Sequence, residues 1–445
     1  MLELANDLFL LPFFIAIFYF MAIRTRNANS DNFLYRAYYI KGLNYKIIGS
    51  VFFALIYVFY YKGGDTISFY WTVAPLHKLM FKDPAAFFKF VLDPYSLYPW
   101  PCVGDAAKYG VIYLIKGSAS LTTIKIAAIV NILCFNSFFM LCLAFAYISY
   151  LFEWRMFMLL SSIYPTLHKQ FGYAFLMIPS VIFWGSGLSK DSIMIGCIMY
   201  FVYCFYMVFI VKKKILKYLL LLLFVAFIIS LIRGFILFTV LPCCIIMAMV
   251  YYQAQIKNSG LQFLIGPLLL IVGAGASYGV VKGIGNSVDS YNVESLQVKA
   301  EGFRSWHSTL NEKGGSGYSI EGELDYSIRG ILRKAPLAMA VTLFGPFPWQ
   351  IRNFVMLLSG LEAILFSYVF IKTFTNSRIY KLFGVLAKDH IIAFCVPFVI
   401  VLGTAIGLTS FNYGALVRYK IPIMPFFATF LILVNYHLNK SKSAT

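Results

Sequence analysis

Apolar residues in this chain come in long, nearly unbroken runs, not as alternations or narrow stripes. The runs lie at about 6–23, 47–61, 123–149, 170–188, 191–211, 217–232, 235–252, 261–281, 353–372, 390–410 and 420–437. Most reach the ~18 residues a helix needs to cross about 30 Å of hydrocarbon. They predict an all-α, polytopic integral membrane protein with about 11 transmembrane helices. The runs at 47–61 and 217–232 are short for a crossing, which implies longer helices or local thinning of the bilayer. The stretch 156–170 reads as either a further span or an interfacial helix.

The polar positions between the runs orient the chain. Arg24, Arg26, Arg36, Lys41 and Lys46 follow the first run, Lys212, Lys213, Lys214 and Lys217 the fifth, and Lys257 the seventh. Arg378, Lys381 and Lys388 follow the ninth, and Lys440 and Lys442 lie near the end. With eleven spans all these clusters fall on one side, which the positive-inside rule makes cytoplasmic. The expected N-terminus is then outside, the C-terminus is cytoplasmic, and the compartment is the plasma (inner) membrane. The whole of 1–445 reads as a single polytopic domain without internal repeats. Two long segments are left outside, at about 62–122 and 282–352. In the first, 66–92 mixes aromatic residues with Lys and His, as interfacial amphipathic helices do, with a break near Asp83-Pro84.

Composition agrees. The chain is 61% hydrophobic, 19% aromatic and 12% charged, where a soluble domain has about 45–50% apolar and about 25% charged residues. The formal net charge of +19 sits in short clusters between runs. No basic stretch is long enough to track a phosphate backbone, so no nucleic-acid partner is expected. Cys134, Cys142, Cys197, Cys204, Cys243, Cys244 and Cys395 fall in apolar runs and read as packing residues; only Cys102 falls in a loop. The acidic start, Met1 to Asp7, lacks a basic n-region, so the first run is expected to be retained as a span.

Few positions carry candidate chemistry. Asp65 follows Gly63 and Gly64 where the second run ends. It reads either as an acid tuned at the membrane face for base work or as a solvated turn residue. Lys190 and Asp191 occupy a tight outer turn, in Gly185-Ser186-Gly187-Leu188-Ser189-Lys190-Asp191, and Arg233 the next outer turn. Each is a functional candidate because charge at membrane depth is costly, and each has a plain alternative as a local ion pair or a snorkelling anchor. Arg418 and Lys420 open the last span on the side the charge rule disfavours, as an anionic ligand or a headgroup anchor would require. His307 could act as an acid or base, and Tyr70 and Asp191 could contact an acceptor. Glu321, Glu323 and Asp325 could hold a divalent cation or merely keep a loop soluble. No His or Cys pattern marks a metal site. Gly314 to Gly317 read as a hinge, not a phosphate loop.

An outer-face acid after an early span, an interfacial aromatic segment and many spans with basic outer turns resemble the GT-C superfamily of membrane glycosyltransferases. Arg418-Tyr419-Lys420-Ile421-Pro422 is similar to the basic, proline-containing start of a late span in such proteins. The resemblance implies a polyprenyl-phosphate-linked sugar as donor and an envelope glycan or lipid as acceptor. It implies Asp65 as base or acceptor-binding group. Arg418, Lys420, Arg233 and Lys190 would then bind the departing phosphate. Two alternatives are an O-antigen polymerase- or ligase-like enzyme relying on outer-loop arginines, and a transporter or flippase of a lipid-linked glycan. A transporter is expected to line its path with charges, and Glu362 is the clearest charge within a run.

Overall fold

The computed structural model describes residues 4–92, 118–256, 302, 328–352, 354–375 and 389–442. Among these there is no β-strand. The helices are α1 (Leu4–Ala28), α2 (Ile40–Leu55), α3 (Asp65–Lys82), α4 (Pro84–Leu92), α5 (Ser118–Ile132), α6 (Phe138–Ile163), α7 (His168–Leu176) and α8 (Pro179–Trp184). They continue with α9 (Lys190–Tyr206), α10 (Ile215–Gln253), α11 (Ile328–Phe344), α12 (Phe354–Thr375), α13 (His390–Ser410), α14 (Tyr413–Tyr419) and α15 (Met424–Lys442). Among the described residues seven helices are long and apolar enough to cross a membrane, or eight if the bent pair α14 and α15 is one span. The chain is therefore a multi-pass membrane protein.

Several runs differ in detail from the expectation. The short second run is part of a longer helical stretch, Tyr35–Tyr61, in which π-helical turns flank α2. Arg36, Lys41 and Lys46, expected in a cytoplasmic loop, lie inside that stretch. The run 123–149 is two helices, because Phe135 and Asn136 take left-handed backbone angles and Ser137 caps α6 by accepting from the Met140 N–H. The stretch 156–170 is no separate span: α6 continues to Ile163, and a 3-10 turn, Pro165–Leu167, leads into α7.

The helices pack as two compact units, Met1–Phe201 with Phe224–Arg233, and Val202–Leu223 with Gly234–Thr445. In the first unit α2 packs on α6 and α8, α1 on α6, and α3 on α5. The run 170–188 is delivered in two pieces, α7 and α8, broken before Pro179. Tyr38 hydrogen-bonds His168 at one end of this path, and Gly187 lies against Phe53 towards the other. The path thus returns the chain from the end where α6 stops to the end where α9 begins. In the second unit α11 packs on α13, and α13 on α14 and α15.

The 39-residue α10 is long enough for two passes, and its one non-helical residue is Arg233. Before it, the Tyr218 hydroxyl meets that of Tyr203; after it, the Tyr252 hydroxyl donates to the Phe209 carbonyl. Arg233 itself reaches Asp191. Tyr218 to Arg233 and Tyr203 back to Asp191 are each about 20 Å of helix at ~1.5 Å per residue. The stretch therefore reverses at Arg233.

Candidate functional site

The first unit gathers several chain turns at one end. The Asp7 carboxylate near the start of α1 accepts the Phe138 N–H at 2.9 Å. The Tyr70 hydroxyl on α3 donates to the Asn136 carbonyl at 2.6 Å. Lys190, opening α9, sits over the Phe69 ring with its Nζ 5.7 Å from the centroid. Arg233 donates to Asp191 Oδ1 at 2.6 Å. The start of α1, the first turns of α3, the starts of α6 and α9, and the α10 reversal thus share one end.

Asp65 belongs to this end through α3. It opens that helix after Gly64, whose φ of +91° favours glycine. The helix N-terminus favours its negative charge. Phe69 follows four residues later, so Asp65 and Phe69 lie on one face, and Phe69 is the ring beneath Lys190. Asp65 is half-buried.

Asp191 is fully buried, and a carboxylate there is tolerated because the Arg233 guanidinium compensates it. The loop before it is locked by hydroxyls. The Gly187 N–H donates to Ser192 Oγ at 3.0 Å, the Ser192 N–H to Ser189 Oγ at 3.1 Å, and the Ser192 hydroxyl to the Trp184 carbonyl at 3.3 Å. A Cβ on Gly187 would lie 2.1 Å from the Phe53 ring. The loop's backbone is therefore held by packing as well as by hydrogen bonds, and it presents Lys190 and Asp191 in fixed positions.

Comparison with protein-family profiles, curated proteins and solved structures finds no match.

The second unit holds the other expected basic residues. Arg418 lies in the last turn of α14, and Lys420 at the 64° bend between α14 and α15. Lys420 is buried at 1% exposure and its ammonium donates to the Gly345 carbonyl at 2.9 Å, with the buried Glu362 as the attracting charge. Tyr413 donates to Gln350 at 2.5 Å beside them. Lys420, expected to bind phosphate, thus has an internal acceptor in the Gly345 carbonyl. Tyr70, expected to contact an acceptor, spends its hydroxyl on Asn136. His307, Gly314 to Gly317, Glu321, Glu323, Asp325 and Cys102 lie outside the described residues, as does the whole of the run 261–281. No His, Cys, Asp and Glu grouping able to hold a metal occurs among the described residues.

Three features went unseen in the sequence. Lys46 and Glu153 form a buried ion pair at 2.6 Å between α2 and α6. Asp389 Oδ1 caps α13, and its Oδ2 lies 2.6 Å from His437 Nε2. His77 on α3 has its imidazole held below the ordinary value of 6.5 by burial. A lone acid inside the apolar run of α6 was the available signal for Glu153.

Proposed function

We propose that this chain is a membrane glycosyltransferase, moving a sugar from a polyprenyl-phosphate-linked donor to an envelope glycan or lipid acceptor on the outer face of the plasma membrane. The observation that carries the reading is the convergence of Asp65, Lys190, Asp191 and Arg233, far apart in sequence, at one end of the first unit's helices. Asp65 takes the proton of an acceptor hydroxyl as that oxygen attacks the anomeric carbon, giving inversion. Lys190 and Arg233 offset the negative charge that builds on the departing phosphate. Asp191 holds the guanidinium in place. Arg418 and Lys420 have a weaker claim, because Lys420 already has an internal acceptor.

The same reading gives the chain eleven passes. These are α1, Tyr35–Tyr61, α6, the α7–α8 path, α9, the two arms of α10, the run 261–281, α12, α13 and the α14–α15 pair. The N-terminus and the Asp65 end are then outside, and the C-terminus is cytoplasmic.

The test is incubation of the full chain in nanodiscs with radiolabelled polyprenyl-phosphate and polyprenyl-diphosphate sugars, with wild type beside Asp65→Asn and Arg233→Gln. Donor consumption lost in both variants supports the reading. Turnover that survives Asp65→Asn but not Arg233→Gln favours the polymerase- or ligase-like alternative. Binding without turnover across the donor panel favours transport.

A further inference from the structure

The Lys46–Glu153 pair lies inside two helices long enough to span, at 2% and 0% exposure. Glu153 Oε1 is crowded: it accepts from Lys46 at 2.6 Å and from the Ser149 hydroxyl at 2.8 Å. Glu153 Oε2 is buried and has no hydrogen-bond partner among the described residues; the same holds for Ser50 Oγ and Ser186 Oγ.

Ser50 and Ser186 are tied to this pair through Lys46. Ser50 follows Lys46 by four residues, so the two share a face of α2. That face meets the α8 segment closely: a Cβ on Gly49 would lie 2.3 Å from the Ile182 carbonyl oxygen. Lys46 also donates to the Gly185 carbonyl at 3.1 Å, and Ser186 is the next residue. Buried polar atoms of this kind are usually satisfied by internal water, which needs about two to four polar partners. Glu153, Ser50 and Ser186 supply acceptors and donors of that number.

We propose that Glu153, Lys46, Ser50 and Ser186 form an internal hydrated site that binds an exchangeable proton at Glu153. A hydronium ion passes its proton to Glu153 Oε2, leaving the carboxylic acid and one water. The ion pair with Lys46 then weakens to a charge-to-neutral hydrogen bond onto Glu153 Oε1, and Lys46 keeps the Gly185 carbonyl. That carbonyl lies in the break leading to Lys190 and Asp191, so the site sits against the segment that presents those two residues. The titratable neighbours facing Glu153 are Lys46 on α2 and Tyr150 on its own helix; the Tyr150 hydroxyl donates to the Tyr39 carbonyl. This site stands apart from the glycosyl-transfer reading and survives its failure.

The test is infrared difference spectroscopy of the full chain in nanodiscs between neutral and acidic pH, in H2O and D2O. The expected result is a reversible carboxylic-acid band on acidification that shifts in D2O and is lost in Glu153→Gln. Ser50→Ala and Ser186→Ala are expected to slow its exchange. Absence of any band that Glu153→Gln removes overturns the proposal, leaving the pair as a structural clasp. So does a band whose exchange neither serine variant alters. Should Glu153→Gln fail to fold, the serine variants decide alone: a titrating carboxyl band slowed by them supports the site, and one unaffected by both overturns it.

Discussion

At the residue scale, Asp191 and Arg233 are the pair that joins the start of α9 to the α10 reversal. Removing one partner of a largely buried ion pair leaves the other charge less well compensated, at a cost of up to about 3–5 kcal/mol. Removing both leaves neither. Asp191→Ala is therefore expected to lower the melting temperature in detergent more than the double variant Asp191→Ala, Arg233→Met does. Equal or additive losses would show that the two side chains do not act as a pair. If the chain carries out the proposed glycosyl transfer, the order on turnover differs: Asp191→Asn keeps the shape but weakens the hold on the guanidinium, so kcat is expected to fall, and Arg233→Lys to lower it further, because an ammonium cannot reproduce the planar guanidinium.

The element scale is governed by how closely helices approach. Gly49 lets α2 meet the Ile182 carbonyl, where a Cβ would sit at 2.3 Å; a Cβ on Gly63 meets nothing nearer than the Tyr61 carbonyl oxygen at 4.0 Å. Gly49→Ala is expected to destabilise by roughly 1–3 kcal/mol through forced backbone movement. Gly63→Ala is expected to stay within about 0.5 kcal/mol. Thermal unfolding of the two variants side by side checks the contrast, and a silent Gly49→Ala would remove the close approach. A second element-scale expectation concerns α3. Burial favours the neutral imidazole of His77, so the unfolded chain binds its proton more readily than the folded one. Stability is full above pH 6.5 and falls as pH drops below it towards the folded value. His77→Gln is expected to flatten that part of the melting-temperature profile. An unchanged profile would deny the burial effect.

Element positions were legible where apolar runs ended in polar clusters, as at Asp389 before α13 and Lys212 after the Lys190–Val211 stretch. The breaks inside runs were not. Hydropathy averages over the cap at Ser137 and the Pro179 break, because their signals are single residues in apolar surroundings. The cluster at the Asp65 end was legible residue by residue, since Asp65, Lys190, Asp191 and Arg233 are each conspicuous in a turn. Their meeting was not, because it depends on the α10 reversal and the α7–α8 return. Lys46 was misassigned for a related reason: its neighbours Arg36 and Lys41 gave it the look of a loop residue, and only the pairing with Glu153 puts it inside.

At the scale of the whole molecule, sidedness joins the charge pattern to the helix ends. The stretch Tyr35–Tyr61 ends beside Lys62, at the end where α9 begins. The stretch Lys190–Val211 carries the chain from that end to Lys212, Lys213 and Lys214. If the positive-inside rule orients the chain, Lys62 is outside and Lys213 is cytoplasmic. Lys62→Cys is expected to react with a membrane-impermeant maleimide on intact cells, and Lys213→Cys only after permeabilisation. The described native cysteines are all buried, so replacing Cys102, which lies outside the described residues, removes the remaining thiol that could confuse the readout. Reversed labelling would turn the Asp65 end to the cytoplasm, and the proposed transfer would then need a donor presented there. Labelling of both positions from one side would break the odd number of passes between them, and with it the return of the chain through α7 and α8.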